Sequence, residues 1–266
     1  QKSGEVWVNE LRLKEYENEG GWAAQGNLNV QLSDFGTLNL QGRYISEGFG
    51  GLEDGVAERA KDNFKSYSVT TNLELGKFFP EKAKVSAPLY YSRTQEESSP
   101  KYNPLDTDLR LKDALDAANR QERDSIKNIA IRRTTNTNFS LSNVRIGIQN
   151  KRHPMPYDPA NFSFSYSNSS RFTSGETTVY ERENNWRAAL AYNWTPVYKP
   201  LEPFKNLKGK SKWLDILKRF GLNWLPQNLS FNSDINRSYY ELQERDMESK
   251  GGDRLPLTFN SQFLWN

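Results

Sequence analysis

The chain has 266 residues, and 36 lysines and arginines against 33 aspartates and glutamates leave a net charge of +3. The absence of cysteine excludes disulfides, thiolate zinc sites and cysteine nucleophiles, and the single histidine excludes any site that needs two. Because the basic residues are spread along the chain rather than clustered, we expect no nucleic-acid partner.

No segment is apolar enough to predict a membrane-spanning helix. The longest purely apolar run is Ala188–Tyr192, far short of the ~20 residues that such a helix needs. The N-terminus shows no signal-peptide pattern, and Gln1 rather than Met opens the chain. We therefore expect a processed protein or an excised fragment.

In chain order, apolar and polar residues alternate with a period of two, which is typical of strands whose faces meet different surroundings. Leu28 and Val30 alternate with Asn29 and Gln31, and the interruption at Asp34–Gly36 predicts a hairpin. The pattern predicts about nine strands, around residues 28–32, 38–44, 69–75, 85–91, 139–141, 162–166, 186–194, 229–235 and 257–265.

The alternating runs last about 8 to 12 residues, which matches the ~9–11 residues of a tilted strand that crosses a bilayer. Their polar members suit a watery lumen and their apolar members suit lipid. A soluble sheet with one wet face would show the same alternation, so the period alone leaves both architectures open. For the membrane case the lipid-facing residues are Leu28, Val30, Leu38, Leu40, Leu73, Leu75 and Leu190; the lumen-facing residues are Asn29, Asn39, Asn72 and Asn193; and the interfacial aromatics are Trp186, Trp194, Trp213 and Trp265.

Two segments depart from the alternation. Residues 106–131 carry Leu111, Ala114, Leu115 and Ala118 at helical spacing and predict one or two helices, interrupted near Asn119, inserted between strands. Residues 207–221 predict an amphipathic helix that has lysines and arginines opposite an apolar face. The second helix could lie in a membrane interface or cap the end of a sheet.

The sequence contains no convincing catalytic, cofactor-binding or metal-binding motif. Gly209–Ser211 resembles the end of a phosphate-binding loop, but position 204, where the leading glycine belongs, is Phe204. His153 lies in a proline-rich connection, and the acidic pair Glu96–Glu97 would serve glycoside chemistry only at a suitable separation in space. We expect no enzymatic activity and no cofactor.

Specific strings of residues resemble the SprA/Sov family, the outer-membrane translocon of the type IX secretion and gliding-motility machinery. The strongest is NLELGKFFPEK (residues 72–82). Others, in consistent order, are VWVNELRL (6–13), GGWAA (20–24), GFGGLE (48–53), YNPLD (102–106), ERDSIKNIA (122–130), NFSLSNVR (138–145), EPF (202–204) and LPQNLSFNSDINRSYYELQER (225–245).

The resemblance implies a very large single-chain barrel of the class that reaches roughly 36 strands. It also implies the partners of such a barrel: outer-membrane lipid, folded secreted cargo, a shuttle barrel at a lateral opening and a plug protein. About nine strands cannot form that pore. We therefore expect an all-β antiparallel transmembrane β-barrel wall segment with helical insertions, whose partner is the remainder of the barrel chain. The alternative is a surface-exposed β-sheet protein that binds carbohydrate or another protein.

Overall fold

The protein is an antiparallel β structure with two short helices, which confirms the all-β prediction. The computed structural model describes residues 20–149, 154–196, 201–204, 221–222, 226–246 and 253–266. Nine strands of eight or more residues lie within these ranges, as the alternation predicted. The strands are β1 (Ala23–Gln31), β2 (Gly36–Ile45), β3 (Asp62–Glu74), β4 (Val85–Ser86), β5 (Pro88–Pro100), β6 (Tyr102–Asn103), β7 (Asp106–Arg110), β8 (Arg132–Ile146), β9 (Phe162–Ser174), β10 (Thr178–Trp194), β11 (Leu229–Asp246), β12 (Asp253–Arg254) and β13 (Thr258–Trp265).

The nine long strands form one sheet, in which neighbours in sequence are neighbours in space. The order is β1-β2-β3-β5-β8-β9-β10-β11, and β12 and β13 both pair with β11. Every pairing between the long strands is antiparallel. Within the described ranges the sheet does not close on itself, so β1 and β13 are edge strands.

The β1–β2 hairpin turns tightly beside β3. Its turn carries Ser33 with φ 46° and Gly36 with φ 146°, both in the left-handed region that favours glycine. A Cβ atom at Gly36 would lie 1.8 Å from the backbone oxygen of Asn72. Gly36 therefore allows β2 to start in register with the end of β3, where it is opposite Leu73.

The predicted insertion between β5 and β8 contains two helices. They are α1 (Leu111–Ala117) and α2 (Arg120–Ala130), and the break between them lies at Ala118–Asn119, where the sequence placed an interruption. The first five residues of the predicted helical segment instead form β7, which pairs with β6. Neither described helix is long and apolar enough to cross a membrane.

The buried apolar side chains are few and small in the described part of the chain. They are Ala87, Leu111, Ala114, Ile129 and Ala130, four of which belong to the helices, and no described side chain is less than 2% exposed. The sheet therefore has no packed core of its own, and the helices pack mainly on each other and on the β6–β7 hairpin.

Two details of the strand prediction were wrong. Leu75 lies beyond β3, in a 3-10 turn over Leu75–Phe78, because the chain there bends so that the Leu75 amide can donate to the carbonyl of Ala87. The run predicted over 85–91 is two strands, β4 and β5, separated at Ala87. The predicted helix at 207–221, together with Trp213, falls almost wholly outside the described residues.

Candidate functional site

The register of the sheet determines which side chains share a face. Residues directly opposite each other on antiparallel strands project to the same side, and neighbours along one strand project to opposite sides. Leu28 is opposite Leu40, which is opposite Val69. The same row continues across the sheet to Asn184 on β10. We call the side that carries Leu28 and Leu40 the apolar face and the other side the polar face.

Residues predicted to face lipid and residues predicted to line a lumen lie on opposite faces. The apolar face carries Leu28, Val30, Leu38, Leu40, Leu73 and Leu190, together with Trp186, Trp194 and Trp265. The polar face carries Asn29, Asn39, Asn72 and Asn193. The predicted sorting into two sets is therefore present in the register, whereas contact with lipid or with a lumen stays a prediction.

The apolar face is uncovered in the described part of the chain. Leu28 is 55% exposed, Leu190 45% and Trp265 71%. Among the described residues, the loop before β9 contacts one end of this face at Tyr192 and Trp194. The main contacts of the long strands are otherwise with their neighbours in the sheet and with adjoining turns. A soluble sandwich would cover such a face with a second sheet. The described residues form a single layer instead.

The apolar side chains form a belt that runs obliquely across the strands. On β1 its centre lies at Asn29, between Leu28 and Val30, and on β10 at Leu190, between Trp186 and Trp194. The row through Asn29 reaches β10 at Asn185, so the belt shifts by about five residues over six strand-to-strand steps. At ~3.4 Å per residue and ~4.8 Å per strand, this corresponds to an angle of about 30°.

This obliquity has a simple geometric meaning. In a membrane barrel the strands tilt by ~35–45° from the barrel axis, so a belt level with the membrane must cross them at a similar angle. The shift is already visible on β5. There the belt is centred between Leu89 and Tyr91, about two residues from Ser92, which lies in the row through Asn29. The angle of about 30° lies just below this range.

The centre and the border of the belt carry aromatic side chains. Phe139, Tyr166 and Trp186 form a string with ring centroids 6.1 and 6.4 Å apart. At the other border the indole of Trp194 donates to the carbonyl of Pro154 at 3.0 Å, and the hydroxyl of Tyr192 donates to that of Pro156 at 2.9 Å. These two bonds pin the loop that precedes β9 onto the end of β10, which the sequence did not predict.

The polar face is lined by amides and hydroxyls, many of which bond to one another. Thr70 and Ser92 hydroxyls lie 3.3 Å apart, and Ser169 donates to the side-chain oxygen of Asn138 at 2.9 Å. Arg187 and Asp234 form an ion pair at 3.6 Å. Groups that are already paired offer few free donors or acceptors to a passing molecule. Part of the hydrogen-bonding capacity of this face is therefore satisfied within the sheet.

The polar face carries two hollows. A hollow of about 610 Å³ opens on it, and its polar-face lining comes from six neighbouring strands: Tyr90, Asn138, Ser140, Ser167, Ser169, Asn185, Arg187, Asn236, Ser238, Gln262 and Leu264. A second hollow of about 470 Å³ is lined by polar-face residues from β3, β5, β8 and β9. Both hollows therefore span several neighbouring strands and are lined largely by polar-face residues.

The acidic pair considered for glycoside chemistry is not a pair in space. Glu96 and Glu97 are adjacent on β5, so their side chains project from opposite faces. Glu97 pairs with Arg133 at 3.2 Å on the apolar side, and Glu96 lines the second hollow. Among the described residues no group of three or more metal-ligating side chains is present. The absence of enzymatic activity stays a prediction.

Comparison with known proteins connects the N-terminal part of the chain with secretion. Residues 1–115 match the family model SprA_N, which is described as a motility related/secretion protein. The matched range includes β1, β2, β3 and β5, with the first half of the insertion. No curated protein matches the chain significantly. The first 115 residues are thus similar to a family of motility-related secretion proteins.

Proposed function

We propose that this chain forms part of the wall of a protein-conducting pore in the outer membrane, which exports folded cargo for type IX secretion and gliding motility. One observation carries the proposal: the long strands form a single uncovered layer whose apolar and polar side chains lie on opposite faces. The similarity of residues 1–115 to a motility-related secretion family supports the same assignment.

The physical role of such a wall is to separate lipid from a watery passage. In hydrocarbon every backbone amide and carbonyl must be paired, and the continuous antiparallel ladder from β1 to β13 does this between strands. The apolar belt faces lipid, where the exposed side chains of Leu28 and Leu190 leave water at a gain of about 25 cal/mol per Å². The polar face borders the passage.

Transport through this component is passive in the proposal. The lining bonds internally, through contacts such as Thr70 with Ser92 and Asn138 with Ser169, so that a cargo protein finds few partners at which to stop. The energy for export comes from other components of the machinery. The wall needs no catalytic residue, metal or cofactor for this role.

The two edge strands of the sheet indicate which partner lies next to the chain. β1 and β13 each present a row of backbone groups that a neighbouring strand would complete. In a membrane such edges must be paired, so the proposed partner is the remainder of a larger barrel chain. Cargo, a shuttle barrel and a plug protein are further partners of the complete pore.

The proposal predicts that folding depends on amphiphile. The chain is transferred from denaturant into buffer alone, into detergent and into lipid vesicles, and β content, sedimentation and protease resistance are measured. We expect aggregation in buffer and a protease-resistant β structure with detergent or vesicles. A monomeric chain that unfolds cooperatively in buffer alone would contradict the proposal and favour a surface-exposed sheet that binds carbohydrate or protein.

A further inference from the structure

The charges of the apolar face are unevenly placed. We call the end of the sheet that carries α1 and α2 the insertion end and the end with the β1–β2 turn the hairpin end. Between the apolar belt and the insertion end, the long strands carry Lys65, Arg93, Arg133, Arg182, Arg237 and Arg245 on the apolar face, against the acidic Glu97 and Glu241. Between the belt and the hairpin end, the described long strands carry no charged side chain on this face.

Three of these cations are exposed and have no carboxylate partner. Lys65, Arg93 and Arg237 are exposed, and none lies within 4.0 Å of a carboxylate oxygen of the described residues. By contrast, Arg133 on the same face is paired with Glu97 at 3.2 Å. We call Lys65, Arg93 and Arg237 the basic border.

The three residues of the basic border lie on the same side of the belt, at different distances from its centre. Arg93 is about three residues from the belt centre on its own strand, Arg237 about five and Lys65 about six. At ~3.4 Å per residue, and with the strands tilted by about 30°, this places them roughly 9–18 Å from the middle of the belt. The hydrocarbon core of a bilayer extends ~15 Å from its centre, and long basic side chains reach outward from it.

Aromatic side chains lie beside two members of the basic border. Arg237 is directly opposite Trp186 on the apolar face, and Tyr67 lies two positions from Lys65 on the same face. Tryptophan and tyrosine are enriched where lipid chains meet headgroups. A free cation beside an interfacial aromatic side chain is placed to meet a negative group of the lipid.

From this placement, which rests on the proposed function, we propose that the basic border binds the phosphates of anionic lipids in the leaflet at the insertion end. The wall would then bind lipid headgroups through its strand charges only in the leaflet at the insertion end. The hairpin end of the apolar face lacks such strand residues, so the basic border also orients the wall in the membrane.

Vesicle partitioning tests this inference. The 266-residue chain is refolded into phosphatidylcholine vesicles with or without phosphatidylglycerol, and the bound fraction is measured by flotation at low salt. We expect tighter binding to the anionic vesicles, a preference that added salt weakens. In the double variant Arg93→Gln/Arg237→Gln, each substitution should reduce the preference for anionic vesicles about fivefold, because each basic residue at an anionic surface contributes ~1 kcal/mol.

The matched control removes the same charge from the other face. Arg43 and Arg171 are exposed on the polar face, so Arg43→Gln/Arg171→Gln should leave the preference for anionic vesicles nearly intact. Equal losses in both double variants, or equal binding of the unaltered chain to both vesicles, would overturn the inference while insertion still supports the wall. Failure to insert into either vesicle would overturn the proposed function as well.

Discussion

Trp186 and Trp194 project from the same face of β10 and bracket Leu190 at the midpoint between them. Eight residues at ~3.4 Å make about 27 Å along the strand, or roughly 23 Å across the belt once the tilt is included. The apolar band of an outer-membrane barrel is ~25 Å tall and flanked by aromatic girdles. The two indoles are therefore spaced as a girdle pair would be.

A charge at the midpoint of this bracket should be costly. Leu190→Arg should destabilise the chain in lipid vesicles by about 2–4 kcal/mol, because a cation would lie at mid-bilayer. The measurement is the free energy of unfolding by denaturant titration in vesicles. Ala191→Arg is the matched control, since Ala191 is the next residue and projects from the polar face, and it should have little effect. Equal costs at both positions would contradict the assignment of faces.

The oblique belt predicts different depths within one row. Leu40 and Asn184 lie on the apolar face in the same row, but the belt has moved about five residues by the time it reaches β10. A spin label at Asn184 should therefore lie about 14 Å nearer the membrane surface than one at Leu40, at ~3.4 Å per residue along tilted strands. Depth is measured from the ratio of collisions with oxygen and with a water-soluble nickel chelate. Equal depths would mean that the belt follows the rows and that the strands are not tilted.

The loop over the end of β10 should depend on one indole. Trp194→Phe keeps an aromatic ring but removes the donor to Pro154, so the loop should be destabilised by about 0.5–1.5 kcal/mol. Faster amide exchange at Met155 and Asp158 would report the loss. Trp186→Phe is the control, because the Trp186 indole has no hydrogen-bond acceptor among the described residues. If both variants left exchange unchanged, the bond would not stabilise the loop.

Helix α2 should depend on its N-cap residue, Asn119. Asn119 accepts a hydrogen bond from the amide of Glu122 at 3.0 Å, and the Glu122 carboxylate accepts one from the amide of Asn119 at 3.1 Å. Asn119→Ala should lower the local stability of α2 by about 1 kcal/mol, measured by amide exchange within the helix. Asn119→Asp retains the acceptor and should preserve protection. Loss of protection in both variants would show that the cap is not the cause.

Much of the sheet could be predicted from the sequence because alternation depends only on which face each residue meets. The hairpin at Leu32–Gly36, the strands around Leu73 and Leu190, and the sorting of leucines from asparagines all follow from a period of two. The ends of the strands could not be predicted in this way. Residues 178–185 extend β10 far beyond its apolar part, and polar residues such as Asn184 and Asn185 do not distinguish a strand from a loop.

Features that depend on register could not be predicted at all. The obliquity of the belt appears only when Asn29 is traced to Asn185 across six strand pairings. No local sequence pattern specifies the combined register of those six pairings. The same is true of Arg93 and Arg237, which lie far apart in the chain and reach one border only through the register. Leu75 was misplaced because alternation continues through Leu73 and Leu75, whereas the backbone turns at Glu74, whose carboxylate accepts from the amides of Gly76 and Ala87.

The accessibility of single labels on the two faces tests the central claim most directly. The chain has no cysteine, so one cysteine at a time can carry a spin label in vesicle-inserted protein. Labels at Leu28, Leu40 and Leu190 should collide mainly with lipid-soluble oxygen, and labels at Asn29, Asn39 and Asn193 mainly with a water-soluble reagent. An inverted or mixed pattern would contradict the account of this sheet as a wall between lipid and water.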